Sequence, residues 1–282
     1  MTDLVSVATA IRVSGLPELE AQILLGHVLG VDRAWLIAHA RDAVAADAAA
    51  LFQGLCLRRH SGEPVAYLVG AREFYGLTIA VTPAVLIPRP ETELLVDLAL
   101  ERLPEITLAA AAPKRVLDLG SGSGCVALAI AKLRPQASTA ASDVSKAALD
   151  VARANAVAVG ADVRWFESDW YSAIGEQRFD LIVSNPPYIA AGDRHLGEGD
   201  LRFEPPLALT GGGDGWSAID TIVAGAAHYL NTGGWLLFEH GYDQAEGART
   251  RLEAAGFIDI QSWRDLAGIA RVSGGRLSAA AP

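Results

Sequence analysis

A Gly-rich segment, Asp118-Leu119-Gly120-Ser121-Gly122-Ser123-Gly124, stands between the β-like run RVLDLG and the helical run SGCVALAIAKL. Glycines at such a junction let the backbone turn tightly and let a ligand approach without a Cβ in the way. The alternating glycines depart from the dinucleotide pattern GxGxxG, whose third glycine comes later, so a dehydrogenase is not favoured. Asp143 ends the next β-like run, at about the 20-residue distance where a carboxylate can accept from both hydroxyls of a ribose. Ser142 and Asp150 lie nearby, but only Asp143 is at the strand end. Ser168-Asp169-Trp170 closes a third run. There Asp169 can accept from an exocyclic amine such as that of adenine and Trp170 can offer a flat ring, although a Trp here could equally be core. The most specific feature is Asn185-Pro186-Pro187-Tyr188, after FDLIVSN. Two prolines remove two N–H donors and leave carbonyls able to accept, Asn185 adds an acceptor oxygen, and Tyr188 adds a flat apolar surface. Such a set suits a planar NH2 group conjugated to a carbonyl or a ring. His195, the one histidine nearby, reads as a loop residue.

These residues need a frame that brings strand ends together. From RVLDLG onward the runs STAASD, VRWFESD, FDLIVSN and GWLLFEH alternate with helical pieces, and FIDIQSW and IARVSGGRL read as two final strands joined by a hairpin. That alternation predicts a doubly wound α/β sheet of seven strands with its ligand crevice outside the carboxyl ends. Helical periodicity at Leu19, Ile23 and Gly26–His27, and at Leu51, Leu55 and Cys56, predicts a small helical N-terminal domain over residues 1–75. FYGLTIAV and AVLI, with Gly76, Pro83 and Pro88, predict a β-hairpin linker over 76–90. The larger domain then takes residues 91–282, with Leu94, Leu95, Leu98 and Leu103 on the buried side of its first helix. An Ala-rich link is expected at 106–114.

The 282 residues are 51% apolar and 20% charged, enough for a sizeable core, and no run approaches the roughly 18 apolar residues of a membrane span. Asp3 stands where a secretory signal would be basic, so a cytoplasmic chain with no membrane association is expected. The net charge is −10; residues from Glu91 onward hold 16 basic and 25 acidic side chains, which argues against a stable nucleic-acid partner. Cys56 and Cys125 form no CxxC and are expected to be buried free thiols. His27, His39 and His60 share no ligand spacing, and no metal is expected.

Several segments carry a resemblance. The acid followed by GxGxG resembles the first motif of class I S-adenosylmethionine-dependent methyltransferases, a Rossmann-like fold, and NPPY resembles the motif of enzymes that methylate planar amino nitrogens. Together with Gly62-Glu63-Pro64-Val65-Ala66-Tyr67-Leu68, Arg72-Glu73-Phe74-Tyr75-Gly76, Leu86-Ile87-Pro88-Arg89-Pro90-Glu91-Thr92-Glu93, Val183 to Ile189 and Arg202-Phe203-Glu204-Pro205, the chain resembles the release factor glutamine methyltransferases (the PrmC/HemK family) over nearly its whole length. The resemblance implies S-adenosylmethionine as methyl donor, S-adenosylhomocysteine as product, and as substrate the side-chain amide of the glutamine in the GGQ motif of class I peptide chain release factors. It implies cofactor contacts at Gly120, Ser121, Gly122, Ser123, Gly124, Asp143, Asp169, Trp170 and Asn185. Catalysis would fall to Asn185, Pro186 and Tyr188, and substrate binding to Asn185, Pro186, Pro187 and Tyr188 with Arg89 and Glu91 at the border. The N-terminal domain is expected to dock the factor, and the chain to act as a monomer. One departure stands out: the family's Arg-Asp pair after Asp-x-x-Gly is here Ile269-Ala270, after Asp265 to Gly268. Two other functions remain to be weighed: an amino methyltransferase of DNA or RNA bases, and a non-catalytic partner-binding protein.

Overall fold

Strands buried on both faces read as continuous apolar runs, and they need helices on either side. The computed structural model, which describes residues 5–103, 112–211 and 213–278, has this arrangement. Asp3 and the link expected at 106–114, up to Ala111, lie outside the described residues. The chain divides into two compact units, residues 1–71 with Gly197–Phe203, and residues 72–196 with 204–282.

The first unit is helical: α1 (Val7–Val13), α2 (Glu18–Leu29), α3 (Arg33–Ala38), α4 (Ala46–His60) and α5 (Val65–Val69). Ser6 and Asp32 cap α1 and α3 by accepting from the N–H groups of Thr9 and Trp35. Leu24, Leu25, Leu36, Phe52, Cys56 and Leu68 form its core. Segment Gly197–Phe203 joins it through polar contacts: Arg59 Nη1 donates to Asp200 Oδ1 (3.0 Å), and Arg202 Nη2 to the Ser61 carbonyl (2.7 Å). Periodicity at Leu19–Gly30 and Leu51–Ser61 corresponds to α2 and α4. The other three helices have five to seven residues, too few to show a period.

A two-stranded hairpin follows, β1 (Ala71–Phe74) and β2 (Leu77–Ala80). Tyr75 and Gly76 both have positive φ, as a tight two-residue hairpin requires. The hairpin therefore starts five residues before the expected 76, inside the stretch read as helical. AVLI is not a strand. Val85 and Ile87 are buried, but the Ile87 N–H donates to the Glu204 carboxylate instead of a neighbouring strand.

The second unit holds α6 (Glu93–Arg102), β3 (Arg115–Leu119), α7 (Cys125–Leu133), β4 (Ser138–Asp143), α8 (Lys146–Val159), β5 (Arg164–Glu167), β6 (Phe179–Ser184), the one-turn α9 (Pro206–Leu209), α10 (Ser217–Tyr229), β7 (Leu230–Glu239), α11 (Ala245–Ala254), β8 (Phe257–Arg264) and β9 (Ala270–Leu277). The sheet runs β5-β4-β3-β6-β7-β9-β8, parallel from β5 to β7, with β9 antiparallel to both of its neighbours. This is the doubly wound seven-stranded sheet, and its order reverses between β3 and β6, where a crevice opens at the carboxyl ends. Both cysteines are free and buried. At Ile269-Ala270 the turn is held by Asp265, which accepts from the N–H groups of Ala267 and Ile269 and pairs with Arg271 (3.3 Å).

Candidate functional site

Register decides what meets at the crevice. Leu119 of β3 pairs with Ser184 of β6 and with Ser142 of β4, so Gly120, Asn185 and Asp143 leave the sheet side by side. Asp143 pairs with Glu167 of β5, which sets Ser168 and Asp169 beyond it. On the other flank Ser184 pairs with Phe238 of β7, which puts Glu239 level with Asn185.

The turn after β3 is built on backbone. Gly120, Gly122 and Gly124 have φ of 70°, 54° and 82°, values that L side chains rarely adopt. The N–H groups of Gly120 and Ser121 donate to the Ser142 carbonyl (2.8 and 2.9 Å), and the Gly122 N–H donates to Asp143 Oδ2 (2.8 Å). Asp143 Oδ1 accepts from the Ser145 N–H (2.8 Å), which leaves lone pairs on both oxygens. Burial pushes the Asp143 carboxyl up, against these N–H groups. Asp118 lies beneath the turn, 1% exposed, and accepts from the Ala127 N–H (3.1 Å). Burial, with a smaller contribution from Asp143, pushes it up to about 8.

A cavity of about 280 Å³ opens above these strand ends. Of the expected site residues it is lined by Gly120, Ser121, Gly122, Ser123, Asp143, Asp169, Trp170, Asn185, Pro187 and Arg89. Four are not in its wall. Gly124 caps α7, where a Cβ would come within 2.8 Å of the Trp165 ring, so this glycine allows close packing. Glu91 is exposed, Pro186 lies between two lining residues, and Tyr188 is half-buried behind the turn with its hydroxyl on Glu239 Oε1 (3.0 Å). His195 is also absent from the wall, exposed and 2.7 Å from Asp193. Trp170 has φ of +49° and faces Gly120, whose Cβ would lie 3.5 Å from the indole.

Three residues that sequence reasoning did not single out organise the opposite wall. Asn185 Nδ2 donates to Thr92 Oγ1 (3.1 Å), and Thr92 Oγ1 donates to Glu239 Oε2 (2.7 Å). Thr92 and Glu239 are each 2% exposed, and burial pushes the Glu239 carboxyl up. Glu204, also buried, takes the Ile87 N–H (3.0 Å) and the Arg89 guanidinium, which ties the 84–89 edge to the segment of Pro205, Leu207 and Ala208 on the other rim. Glu239 carried one available signal: it ends the strand beside the one bearing NPPY.

Sheet order, glycine turn and cavity define a class I methyltransferase. Residues 95–198 match the family model "Methyltransferase small domain" and residues 7–70 match "PrmC N-terminal domain". Solved structures with the same fold include a methyltransferase from Pyrococcus furiosus (TM-score 0.53, 18% identity, covering 79% of this chain and 97% of that one). The delta-N METTL16 MTase domain is similar as well (TM-score 0.53, 17% identity, covering 72% and 89%). Release factor glutamine methyltransferases are far more similar in sequence. That of Bordetella pertussis is 55% identical over 264 residues, 93% of this chain and 96% of its own. That of Escherichia coli is 42% identical over 267 residues, 94% of each. The chain belongs to the release factor glutamine methyltransferase family.

Proposed function

We propose that this chain transfers a methyl group from S-adenosylmethionine to the side-chain amide nitrogen of a release-factor glutamine, that of the GGQ motif in class I factors. The observation that carries the reading is the facing pair of walls in one cavity: a backbone cradle with a carboxylate, and NPPY with its asparagine locked. The cradle suits the methyl donor. The Ser121 hydroxyl is buried with no hydrogen-bond partner among the described residues, and a Cβ on Gly122 would meet no protein atom within 4 Å. In this reading Gly120 to Ser123 hold the amino-acid end, Asp143 accepts from the ribose hydroxyls, Asp169 accepts from the adenine amine, and Trp170 faces the ring.

When bound, the donor supplies an electrophilic methyl group. The protein positions the acceptor. Asn185 Oδ1 and the Pro186 carbonyl accept the two hydrogens of the glutamine NH2, and the cavity wall excludes water. An amide nitrogen is weakly nucleophilic because its lone pair is delocalised, so acceptors that fit its pyramidal geometry stabilise the transition state more than the ground state. Once the N–C bond has formed the extra proton is acidic and passes to solvent water as the product leaves the cavity, so no strong base is needed beforehand. The helical N-terminal unit docks the folded factor in this reading.

Incubation with a class I release factor and labelled S-adenosylmethionine is expected to label the factor at the GGQ glutamine. Labelling that survives Gln→Ala at that position would overturn the reading, and transfer to bare DNA or RNA would favour a base methyltransferase instead.

A further inference from the structure

Glu239, Thr92, Asn185 and Tyr188 form one chain of hydrogen bonds behind the acceptor wall, and its polarity can be counted. Both oxygens of Glu239 act as acceptors in the structure: Tyr188 donates its hydroxyl proton to Oε1 and Thr92 donates its own to Oε2. Thr92 has a single hydroxyl proton and spends it on Glu239. Its oxygen can then only accept from Asn185, which therefore turns its NH2 toward Thr92 and its carbonyl oxygen away from it. Among the described residues no second partner holds the Asn185 side chain. We infer that Thr92 and Glu239 are positioning residues whose relay fixes the Asn185 amide with its oxygen toward the acceptor, so that the site selects an NH2 donor and rejects a carboxylate. The inference rests on the proposed methyl transfer for its substrate, but the orientation itself is a property of the chain alone.

The consequence is discrimination between glutamine and glutamate. A glutamate side chain would set two acceptor oxygens against Asn185 Oδ1 and the Pro186 carbonyl, leaving every group in the site unpaired. Thr92→Val keeps the shape and removes the relay; Asn185 is then free to rotate by half a turn and present its NH2 to the acceptor. Glu239→Leu does the same from the far end by removing both acceptors, whereas a glutamine there could keep its oxygen on Thr92 and donate its NH2 to the Tyr188 hydroxyl. Thr92→Ser keeps the hydroxyl.

The test has two parts. First, the side-chain amide of Asn185 is observed by 15N NMR in the substrate-free protein, in wild type and in Thr92→Val. One of its two protons is expected at a hydrogen-bonded shift in wild type and near the free-amide shift in the variant; identical spectra would overturn the relay. Second, turnover and binding are measured on a release factor and on the same factor with Gln→Glu at the methylated position. Thr92→Val is expected to lower kcat about tenfold to a hundredfold, with S-adenosylhomocysteine affinity unchanged, and to narrow the preference for glutamine over glutamate. Glu239→Leu is expected to act in the same direction, and Thr92→Ser to restore kcat. Wild-type turnover in Thr92→Val, or a Thr92→Ser as poor as the valine variant, would overturn the inference. If the wild-type enzyme does not methylate the factor, the proposed function fails, while the amide signal still decides the relay.

Discussion

The two walls of the cavity are built in opposite ways. On the β3–β4 side the ligand-facing groups are mostly backbone: three glycines at positive φ, pinned by the Ser142 carbonyl, with Asp143 holding the Gly122 N–H. On the β6–β7 side they are side chains aimed by other side chains, with Glu239 buried at the centre. A backbone cradle is fixed by local geometry and tolerates neighbours of many kinds. A side-chain wall has directional chemistry, at the cost of burying a carboxylate that must be fully bonded. The cradle should therefore govern affinity for the donor, and the relay should govern turnover.

Asn185→Ala gives the largest expected effect and the sharpest way to break this contrast. Removing one positioned acceptor from a reacting group costs about 10²–10³ in rate. Single-turnover rates should fall by that order, with S-adenosylhomocysteine affinity changed far less. An equal loss in both would erase the distinction between the walls.

Asp143→Ala is the mirror experiment. The two charge-assisted hydrogen bonds proposed between Asp143 and the ribose would be lost, each worth roughly 1.5–3 kcal/mol, so calorimetry should show donor affinity weakened by about 10² or more. Turnover at saturating donor should stay close to wild type, and a matching fall in kcat would mean that this wall also takes part in the transfer.

Glu204→Gln should act on the rims that both walls share. Glutamine keeps the size but loses the charge facing Arg89, and only its oxygen can accept from the Ile87 N–H. KM for the release factor should rise about threefold to tenfold with kcat nearly constant, since a weakened ion pair loosens the edge without touching the reacting atoms. A change in kcat alone would place Glu204 in the acceptor wall.

The contrast also explains what could be read from sequence. Gly120 to Ser123 and Asn185 to Tyr188 are short, contiguous motifs whose conformations follow from glycine and proline themselves, and Asp143 follows from the strand rhythm. Glu239 does not belong to any such pattern, and Thr92 lies in a segment, Leu86 to Glu93, whose residue types do not announce a partner for Asn185. Thr92 and Glu239 reach Asn185 and Tyr188 from 93 and 51 residues away, and only the register of β6 with β7 brings Glu239 level with the turn. Glu204 likewise meets Ile87 across 117 residues. Tyr188 shows the same limit from within a motif: its ring reads as a surface for the acceptor, whereas its hydroxyl ties it to Glu239 behind the turn. In the fold, the alternating runs announced the sheet because each has a long apolar core. The hairpin lies earlier than its sequence suggests because Tyr75, a residue with a Cβ, takes the positive φ that sequence reasoning reserves for glycine. AVLI looked like a strand because burial alone gives the same apolar pattern whether or not a neighbouring strand accepts its N–H groups.

The last expected effect falls on stability, touches activity least, and concerns the floor beneath the cradle. Asp118 is pushed up to about 8 in the folded chain, against about 3.9 when unfolded. Between these values the folded state holds a proton that the unfolded state has released, so rising pH disfavours folding by at most about 1.4 kcal/mol per unit. Stability from this group is thus full below about pH 4 and lost as pH rises through 8. Asp118→Asn mimics the protonated form and its oxygen can still accept from the Ala127 N–H. Urea unfolding of the donor-free protein should show the variant gaining on wild type from pH 5 to 8, with no further gain above. A stability difference that ignores pH would mean that Asp118 is ionised under the cradle despite its burial.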